Sequence, residues 1–477
     1  MSHLSLLSVL PELWLGLLFG LMLILDLRWG ETRSSALCLI AAAGLLPLFP
    51  LFVWQSGLPA GDLLGGMYRL DLLALFFKGI FAAAAIGVIL MTRELGRTIP
   101  RGHGEFTLLI LAAAFGMFLA ASSANFVMLF VSLELMAITF YVLTAYLQTN
   151  QGSLEAGMKY LILGSLASGL MLYGIAFIYG STGTMQFSKI QELMSHAQGL
   201  PIPLRFGLLL VIAGILFKVA AVPFQLWVPD VYQGAPTPVT AFLSVGSKST
   251  GFLVAFRIIQ ELFILQSRQW APLIVWVAGM TILYGNLAAI PQRNIKRLMG
   301  YSSIGHTGYL LIGIATASQL GSTAVNFYLA SYLFTNLAVF LVIAAFSRQV
   351  ESDEIRAYAG LAKRSPFLAA AMFIALLSLA GVPPLAGFFG KFLLLMGAIT
   401  EGYLALAIIG AAAVVVSLYY YLQIVYTMYA DKPEDASPIS VSLPIRLALW
   451  VCLAAMLGLG IWQAPLMRLS LAAISGS

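Results

Sequence analysis

The sequence predicts an all-α polytopic membrane protein of about fourteen transmembrane helices. Hydrophobic residues make up 61% of the 477 residues and charged residues only 9%, whereas a soluble domain is nearer one quarter charged. Mean hydropathy is +0.95, and continuous apolar runs of about 18 to 25 residues, the length of a membrane-spanning helix, recur from end to end. A membrane β-barrel would instead show shorter segments of alternating polarity. The chain is therefore predicted to cross the bilayer as helices, without a soluble domain.

Polar loops separate the apolar runs and set the limits of the predicted spans. The N-terminal run lacks a basic segment before it and a clear cleavage site, so it is predicted to be a retained helix. The run 366–398 is long because Pro383 and Pro384 interrupt it. The predicted spans are 8–27, 35–54, 71–92, 106–122, 124–147, 157–180, 205–227, 239–263, 271–290, 300–317, 322–347, 366–398, 401–429 and 443–470.

The basic residues predict how the chain is oriented. Most of them lie in odd-numbered loops, such as RELGRTIPR (93–101), RNIKR (293–297) and RQVESDEIRAYAGLAKR (348–364). Because loops rich in Lys and Arg stay in the cytoplasm, the odd loops are predicted to be cytoplasmic and both termini to lie outside. The net charge of +6 is thus a feature of topology and does not indicate a nucleic-acid partner.

Two proline motifs predict an internal repeat. KVAAVPFQLW surrounds Pro223 in the seventh span, and SLAGVPPLAGFFGK surrounds Pro383 in the twelfth. Spans five apart cross the membrane in opposite directions, so the motifs indicate two inverted five-helix repeats with broken helices 7 and 12. The predicted parts are an N-terminal three-helix segment (1–105), a first repeat of helices 4–8 (106–263), a second repeat of helices 9–13 (264–430) and a C-terminal helix (431–477).

A few titratable residues lie inside apolar spans, where each is a candidate functional residue. They are Glu134, Lys218, Lys248, His306 and Lys391, and Lys159 opens the sixth span. The blander alternatives remain open: a lysine can extend to the membrane interface, Glu134 can be structural, and His306 can be a packing residue. For Lys78 and Arg257, near the ends of their spans, the interface is the predicted location.

Lys218 precedes Pro223 by five residues, and the two together predict a polar site. Pro223 has no N–H, so the carbonyl of Val219 loses its helical partner. Such a break survives within the membrane only where protein or water lines it, which predicts a hydrated pocket beside Lys218. A carboxylate at about 4 Å would favour the charged lysine by roughly 4 kcal/mol at an effective dielectric near 20. Movement of Glu134 could then switch Lys218 between holding and releasing a proton.

Redox and nucleotide chemistry are not indicated. The histidines are His3, His103, His196 and His306, and only the last lies in a span, which excludes a haem held by two histidines. Cys38 and Cys452 are far apart and form no metal-binding motif. No phosphate-binding or dinucleotide fingerprint is present. We therefore expect no cofactor and no metal in this chain.

Two long segments resemble a known family. FKVAAVPFQLWVPDVYQGAPTPVTAFLSVGSK (217–248) and GNLAAIPQRNIKRLMGYSSIGHTGYLLIGI (285–314) are similar to the antiporter-like membrane subunits of respiratory complex I, an NADH–quinone oxidoreductase. The resemblance extends over about residues 124 to 430. Where bacterial relatives commonly have a histidine, this sequence has Gln225, which cannot titrate.

The resemblance implies a role for each candidate residue. Glu134 would pair with Lys218, Lys248 would connect the two halves, and Lys391 would face the exit. His306 and Lys159 would be relay residues. The helix breaks would lie at Pro223, Pro383 and Pro384.

The resemblance also implies how the chain is driven and where it lies. Electrons would pass from NADH to quinone through flavin and iron–sulfur clusters in partner subunits, while this chain moves protons. The partners would be other membrane-arm subunits, the lipid bilayer and protons, and the location would be the bacterial inner membrane. Two alternatives remain open: a subunit of a multi-subunit cation/proton antiporter, and a subunit of a photosynthetic-type complex fed by ferredoxin. A passive scaffold is disfavoured, because a scaffold would not need buried charges.

Overall fold

The computed structural model describes residues 3–30, 34–95, 102–195, 199, 201–433, 435 and 437–475. Arg97, Arg101 and His196, which entered the predictions of orientation and haem binding, lie outside these residues. The described part of the chain is almost entirely helical, with one short antiparallel hairpin. The all-α membrane fold is therefore confirmed.

The described part of the first half contains the hairpin and thirteen α-helices. Its strands are β1 (Gly61–Leu63) and β2 (Tyr68–Leu70). Its helices are α1 (His3–Ser8), α2 (Leu10–Trp29), α3 (Ser34–Leu45), α4 (Leu48–Gln55), α5 (Leu72–Thr92), α6 (His103–Ala121), α7 (Phe126–Thr144), α8 (Gln151–Thr182), α9 (Phe187–Ser195), α10 (Ile202–Lys218), α11 (Trp227–Gly234), α12 (Thr237–Phe242) and α13 (Lys248–Ala255).

In the described part of the second half all the regular secondary structure is helical. The α-helices are α14 (Ser267–Ala289), α15 (Ile295–Ala315), α16 (Gln319–Val350), α17 (Leu361–Arg364), α18 (Pro366–Ala380), α19 (Ala386–Thr400), α20 (Leu404–Tyr429), α21 (Leu443–Ile461) and α22 (Ala464–Ser475).

Polar side chains begin several of the long helices, which explains why the helices start where they do. Asp71, Asn125, Asn150, Asn294 and Ser318 each precede a helix and accept a hydrogen bond from a backbone N–H of its first turn. An N-terminal cap of this kind satisfies a donor that the helix itself leaves free. The loops between apolar runs therefore carry the start signals for α5, α7, α8, α15 and α16.

The described residues include eleven helices long and apolar enough to cross a membrane, together with three shorter apolar helices, Pro366–Ala380, Ala386–Thr400 and Ala464–Ser475. The exact count of fourteen spans stays a prediction. The predicted last span, 443–470, is wrong at its end, because α21 stops at Ile461 and a separate helix begins at Ala464. Pro465 lies in the first turn of α22, where proline favours a helix start over the continuation of α21.

Both predicted helix breaks are present. α10 ends at Lys218 and α11 begins at Trp227, while residues 381–385 separate α18 from α19. The polar backbone groups exposed by the first break are bonded to other helices. The Thr307 hydroxyl donates to the Val219 carbonyl at 2.6 Å, and the Val222 N–H donates to the Thr281 hydroxyl at 3.0 Å. The break is thus lined by protein, as a break within a membrane requires.

The loops separate into two groups that contact one another. Isolated bridges join Tyr68 to Ser123 and Asn125 to Gln186, so the second, fourth and sixth loops meet at one end of the bundle, the even-loop face. Another bridge joins Asn294 to Glu354, so the ninth and eleventh loops meet at what we term the odd-loop face. Helix α10 follows an even loop and α18 an odd loop, so the two broken helices run in opposite directions.

Lys248 lies in a fully buried, irregular helix. Segments α12 and α13 are joined by a π-helical turn at Leu243–Ser247, and a second π-helical segment, Phe256–Leu262, follows α13. π-Helical turns are often associated with functional sites. The continuous helix Thr237–Leu262 packs beside the 32-residue α16, which forms the centre of the bundle.

Two charged residues differ from their predicted location at the interface. The Lys78 side chain is fully buried and pairs with Glu12 at 2.7 Å. The Arg257 side chain is also fully buried and pairs with Asp71. The predictions are wrong because the partner carboxylates come from the N-terminal segment, far away in sequence. Glu12 and Asp71 are thus buried acidic residues inside the bundle, which the sequence had not indicated.

Candidate functional site

A row of basic side chains lies in the centre of the bundle. Lys248 on α13, His306 on α15 and Lys391 on α19 are each at least 97% buried, with 3%, 3% and 2% of their surface exposed. Three helices from both repeats thus bring together residues that are up to 143 positions apart in the sequence. Such burial of titratable groups inside a membrane protein requires bonded partners, which the neighbouring helices supply.

The ammonium group of Lys248 is held by one residue of α15. Its Nζ donates to the carbonyl oxygen of Ser303 at 2.5 Å and also to the Ser303 hydroxyl. The same Nζ lies 5.2 Å from the centre of the Tyr332 ring. A carbonyl, a hydroxyl and an aromatic face together stabilise a cation without a carboxylate partner.

His306 bonds to a tyrosine at each of its ring nitrogens. Nδ1 lies 2.6 Å from the Tyr328 hydroxyl and Nε2 lies 3.2 Å from the Tyr421 hydroxyl. The Tyr421 hydroxyl also bonds the Ser302 hydroxyl. An imidazole with a donor-acceptor group on both sides can accept a proton at one nitrogen and release it from the other.

Lys391 occupies the second helix break. Its Nζ donates to the carbonyl oxygens of Leu379 at 2.7 Å and Ala380 at 3.2 Å, which end α18. It also lies 4.9 Å from the centre of the Tyr309 ring. The sequence predicted that Lys218 lies beside a carbonyl freed by a broken helix. In the structure, Lys391 is the lysine that bonds such carbonyls.

His306 lies between two aromatic rings, and a lysine ammonium group lies over each of these rings. The ring centres of His306 and Tyr332 are 5.2 Å apart, and those of His306 and Tyr309 are 6.4 Å apart. Tyr332 is the ring beside Lys248, and Tyr309 is the ring beside Lys391. The row is therefore continuous from Lys248 through His306 to Lys391.

Lys218 and Glu134 lie at the other end of this arrangement. Lys218 is the last residue of α10 and is partly buried, and Glu134 acts on it electrostatically. Within the described part of the chain no ion pair shorter than 4 Å joins them, because Glu134 accepts a hydrogen bond from the Ser168 hydroxyl instead. Glu134 is partly exposed on the outer side of α7.

The helix that carries Lys248 packs tightly against the first break. A Cβ atom placed at Gly251 would lie 2.6 Å from the Val219 side chain, closer than any real contact. Gly251 is one turn beyond Lys248, and Val219 immediately follows Lys218. The absence of a side chain at Gly251 therefore allows the segments that carry Lys218 and Lys248 to approach one another.

A charged cavity opens at the odd-loop face. Its volume is about 640 Å³, and its lining includes Glu155, Lys159, Asp230, Lys296 and Asp353. Lys159 pairs with both Glu155 and Asp230 at 2.7 Å, and its side chain is 43% exposed. Lys159 therefore lies in a surface ion cluster, outside the buried row.

Asp230 is the centre of that cluster, since it also accepts a hydrogen bond from Arg297 at 2.7 Å. Burial acts to raise the pKa of Asp230, but hydrogen bonds from Lys159 and Arg297 outweigh it and hold this pKa below its usual range. The carboxylate therefore remains charged at neutral pH.

A buried tyrosine links the cavity region to the row. Tyr232 lies on α11 between two residues that line the cavity, Asp230 and Gln233. Its hydroxyl lies 3.2 Å from the Ser303 hydroxyl, which in turn bonds Lys248. Asp230, Tyr232, Ser303 and Lys248 thus follow one another from the odd-loop face to the row.

Gln225 is buried in the first break, with 5% of its surface exposed. Its side-chain oxygen has no hydrogen-bond partner among the described residues. The side chain therefore adds a polar group to the break but no titratable one. No group of three or more His, Cys, Asp or Glu residues suited to a metal is found in the described ranges.

Sequence reasoning missed the tyrosines that surround the row, namely Tyr232, Tyr309, Tyr328, Tyr332 and Tyr421. A signal was available for two of them. Tyr328 and Tyr332 are four residues apart in α16, which places both on the same side of the helix. That both side chains point towards His306 depends on how α16 packs against α15, which the sequence does not show.

Comparisons with known proteins agree with these features. The chain matches the family described as NADH:quinone oxidoreductase/Mrp antiporter, TM, over residues 123–417. It is 41% identical to NADH-quinone oxidoreductase subunit N of Moorella thermoacetica, over 98% of this chain and 97% of that protein. The resemblance to the complex I subunits is therefore confirmed.

Solved structures share the fold. A chain of respiratory complex I from Thermus thermophilus is similar with a TM-score of 0.81 and 29% identity, over 96% of this chain and 99% of that chain. A chain of the Mrp complex from Dietzia sp. DQ12-45-1b has a TM-score of 0.88 at 21% identity, over 100% and 97% of the two chains. At this identity the second likeness concerns the fold alone.

Proposed function

Since the chain belongs to the NADH:quinone oxidoreductase/Mrp antiporter family of transmembrane proteins, we propose that it is the proton-translocating subunit N of an NADH–quinone oxidoreductase. Electron transfer from NADH to quinone occurs in partner subunits, which hold the flavin and the iron–sulfur clusters. This chain contributes the proton path in the membrane arm and no redox centre. The enzymatic activity therefore belongs to the complete complex and not to this chain alone.

The observation that carries this proposal is the row formed by Lys248, His306 and Lys391. Each of the three side chains is buried and bonds to hydroxyl or carbonyl groups, and among the residues that the structure describes none of the three pairs with a carboxylate. A purely structural lysine inside a membrane would be expected to pair with an acidic group. Amines held only by neutral groups can bind and release protons without breaking an ion pair.

The proposed path begins in the cavity at the odd-loop face. A proton passes from the water around Asp230 through the hydroxyls of Tyr232 and Ser303 to Lys248. It then moves on to His306, whose Nε2 bonds Tyr421 and through it Ser302, and further to Lys391, whose ammonium group lies over the Tyr309 ring beside His306. Lys391 releases it towards the even-loop face through the second helix break. Only protons move along this path, and no step requires an electron.

Glu134 and Lys218 are proposed to connect this path with the neighbouring subunit. Glu134 lies partly exposed on α7, where a partner in the membrane arm could reach it, and it acts on Lys218 electrostatically. When Glu134 moves closer to Lys218, the charged lysine becomes more favourable and keeps its proton. When Glu134 remains with Ser168, Lys218 releases its proton more easily. Lys159 lies at the mouth of the cavity and supplies charge there.

The orientation of the chain in the membrane is inferred from the charges of its loops. The odd-loop face, which carries most of the basic residues, is proposed to be cytoplasmic, with both termini on the periplasmic side of the bacterial inner membrane. Protons then move from the cavity, at the cytoplasmic side, to the periplasm. The direction agrees with outward pumping.

The proposal is tested in the complete complex, reconstituted into vesicles and supplied with NADH and quinone. The variants Lys218→Ala, Lys248→Ala and Lys391→Ala should each move fewer protons per NADH oxidised. Lys363→Ala, which changes an exposed lysine of the short helix α17, is the matched control and should retain the full ratio. An assembled Lys248→Ala complex with the wild-type ratio would show that the chain is a scaffold.

Co-purification distinguishes the remaining alternatives. An NADH–quinone oxidoreductase brings flavin and iron–sulfur proteins with this chain and oxidises NADH. A multi-subunit cation/proton antiporter, which shares the fold, brings neither. A complex fed by ferredoxin brings iron–sulfur proteins but does not oxidise NADH.

A further inference from the structure

Two buried ion pairs lie outside the row, where the N-terminal segment meets the first repeat. Arg257 donates to both carboxylate oxygens of Asp71, at 2.6 and 2.8 Å, and to the carbonyl oxygen of Ala121 at 3.1 Å. The side chain of Arg257 is fully buried and that of Asp71 is 2% exposed. Asp71 follows the hairpin and Ala121 ends α6, so this pair lies at the even-loop face.

The second pair lies beside the first. Lys78 on α5 pairs with Glu12 on α2 at 2.7 Å and donates to the Tyr68 hydroxyl at 2.9 Å. Tyr68 donates to Glu12 at 3.0 Å and lies on the hairpin. Burial raises the pKa of Tyr68 to about 12, with Lys78 acting against this and Glu12 adding to it. The tyrosine therefore remains a neutral donor between the two charges.

Arg257 lies near the end of the same helix that carries Lys248. Arg257 is nine residues beyond Lys248, a distance of about 13 Å along a helix. The polar side chains of Ser249 and Thr250 follow Lys248, but Phe252 to Phe256 are all apolar and buried. Phe256 contacts Phe77, at 6.4 Å between ring centres, and Phe77 precedes Lys78. An apolar layer and then two ion pairs therefore separate Lys248 from the even-loop face.

These contacts contrast with the opposite end of the first repeat. At the odd-loop face a cavity of about 640 Å³ is lined by Asp230 and Gln233, the neighbours of Tyr232 on α11, and the Tyr232 hydroxyl contacts Ser303 beside Lys248. At the even-loop face the corresponding region is filled by four charges that are bonded to one another and excluded from solvent. Charges are costly to bury in a membrane, and apolar side chains of similar size would pack these helices at least as well. Their retention calls for a role beyond packing.

We propose that Asp71–Arg257 and Glu12–Lys78 form a charged seal that prevents protons at Lys248 from leaking to the even-loop face. This inference rests on the proposed function, since a seal has a purpose only if Lys248 carries protons. Each cation is bonded to a carboxylate, so neither charge draws water into the apolar layer. The N-terminal three-helix segment supplies three of the four charges, so the seal gives this segment a function in proton transfer.

The seal is tested by passive proton leak in vesicles that contain the complete complex. A potassium gradient with valinomycin imposes a membrane potential, no NADH is added, and a trapped pH dye records the leak. Asp71→Asn removes the negative charge that faces Arg257 but keeps an oxygen that can cap α5 at Ala74. Glu12→Gln removes the negative charge that faces Lys78. Both variants should leak protons several-fold faster than the wild type, because a buried cation without its counter-charge draws water into the layer.

The matched control is Asp62→Asn, which breaks the partly exposed Arg69–Asp62 pair of the same hairpin. It should leave the leak at the wild-type rate. Assembled Asp71→Asn and Glu12→Gln complexes that are as tight as this control would overturn the proposal. If neither variant assembled, the ion pairs would be required for folding or assembly, and this result would also overturn the proposal.

The leak assay is independent of pumping. If the wild-type complex moved no protons with NADH, the proposed function would fail, whereas the comparison of leak rates would be unaffected. If pumping were normal and the variants did not leak, only the seal would fail.

Discussion

The hydroxyl of Thr307 donates a hydrogen bond to the carbonyl oxygen of Val219 at 2.6 Å, across 88 positions of the sequence. This carbonyl is the one that Pro223 leaves without a helical partner. Thr307 also immediately follows His306. One helix of the second repeat therefore stabilises the break of the first repeat and carries the central residue of the row.

Removal of the Thr307 hydroxyl should destabilise the protein. In Thr307→Val the Val219 carbonyl remains buried and loses a partner, which is expected to cost about 1–3 kcal/mol. Thr139→Val is the control, because the Thr139 hydroxyl donates only to Leu135, the carbonyl four residues earlier in its own helix. Thermal denaturation of the purified complex should show a lower midpoint for Thr307→Val. Equal midpoints for the two variants would mean that the Val219 carbonyl has another partner.

Gly381 should be required for the position of Lys391. Gly381 has a φ of 87°, and a Cβ atom there would lie 3.1 Å from Cδ of Lys391. Gly402 has a φ of 82° with open space around it. Gly381→Ala and Gly402→Ala should share a backbone penalty of about 1–2 kcal/mol. Only Gly381→Ala should also lower the number of protons moved per NADH, since only there is the lysine displaced. The same ratio in both variants would contradict this.

The link from the cavity through Tyr232 to Lys248 predicts that loss of the Tyr232 hydroxyl slows proton uptake. Tyr232→Phe keeps the ring but removes the hydroxyl that contacts Ser303. Proton translocation should slow several-fold, because the link between the cavity and Lys248 is interrupted. Tyr358→Phe, at an equally buried tyrosine near the odd-loop face, should translocate normally. A rate for Tyr232→Phe that matches this control would show that protons reach Lys248 by another route.

Lys159 should matter less than the buried lysines. Its pairs with Glu155 and Asp230 are substantially exposed, so Lys159→Gln is expected to cost no more than about 1 kcal/mol. Proton translocation should fall less in Lys159→Gln than in Lys248→Gln, because water in the cavity can replace an exposed amine. The reverse order, measured in the same vesicles, would move Lys159 into the proton path.

The ion cluster also predicts how stability depends on pH. Because the pKa of Asp230 is lowered in the folded protein, its stabilisation is complete above the ordinary carboxyl pKa of about 3.9. This stabilisation is lost only as the pH falls through the lower folded value. The difference in melting temperature between the wild type and Asp230→Asn should thus be constant from neutral to alkaline pH. A difference that changed in that range would contradict the assignment.

The sequence alone determined the class of fold, the two breaks and the titratable residues of the buried row. These features are local: the length of an apolar run, a proline within it, and a charge between apolar neighbours can each be read from a few adjacent residues. For the same reason Lys248, His306 and Lys391 were identified as candidates before their contacts were known.

The tertiary structure decided which partner each charge has. Lys391 binds carbonyls of α18, Glu134 binds Ser168, and Lys78 and Arg257 are buried by carboxylates of the N-terminal segment. Arg257 and Asp71 are 186 positions apart. Such pairs depend on how each helix is rotated and tilted against its neighbours, which is set by the packing of the whole bundle and not by the residues beside it in the sequence.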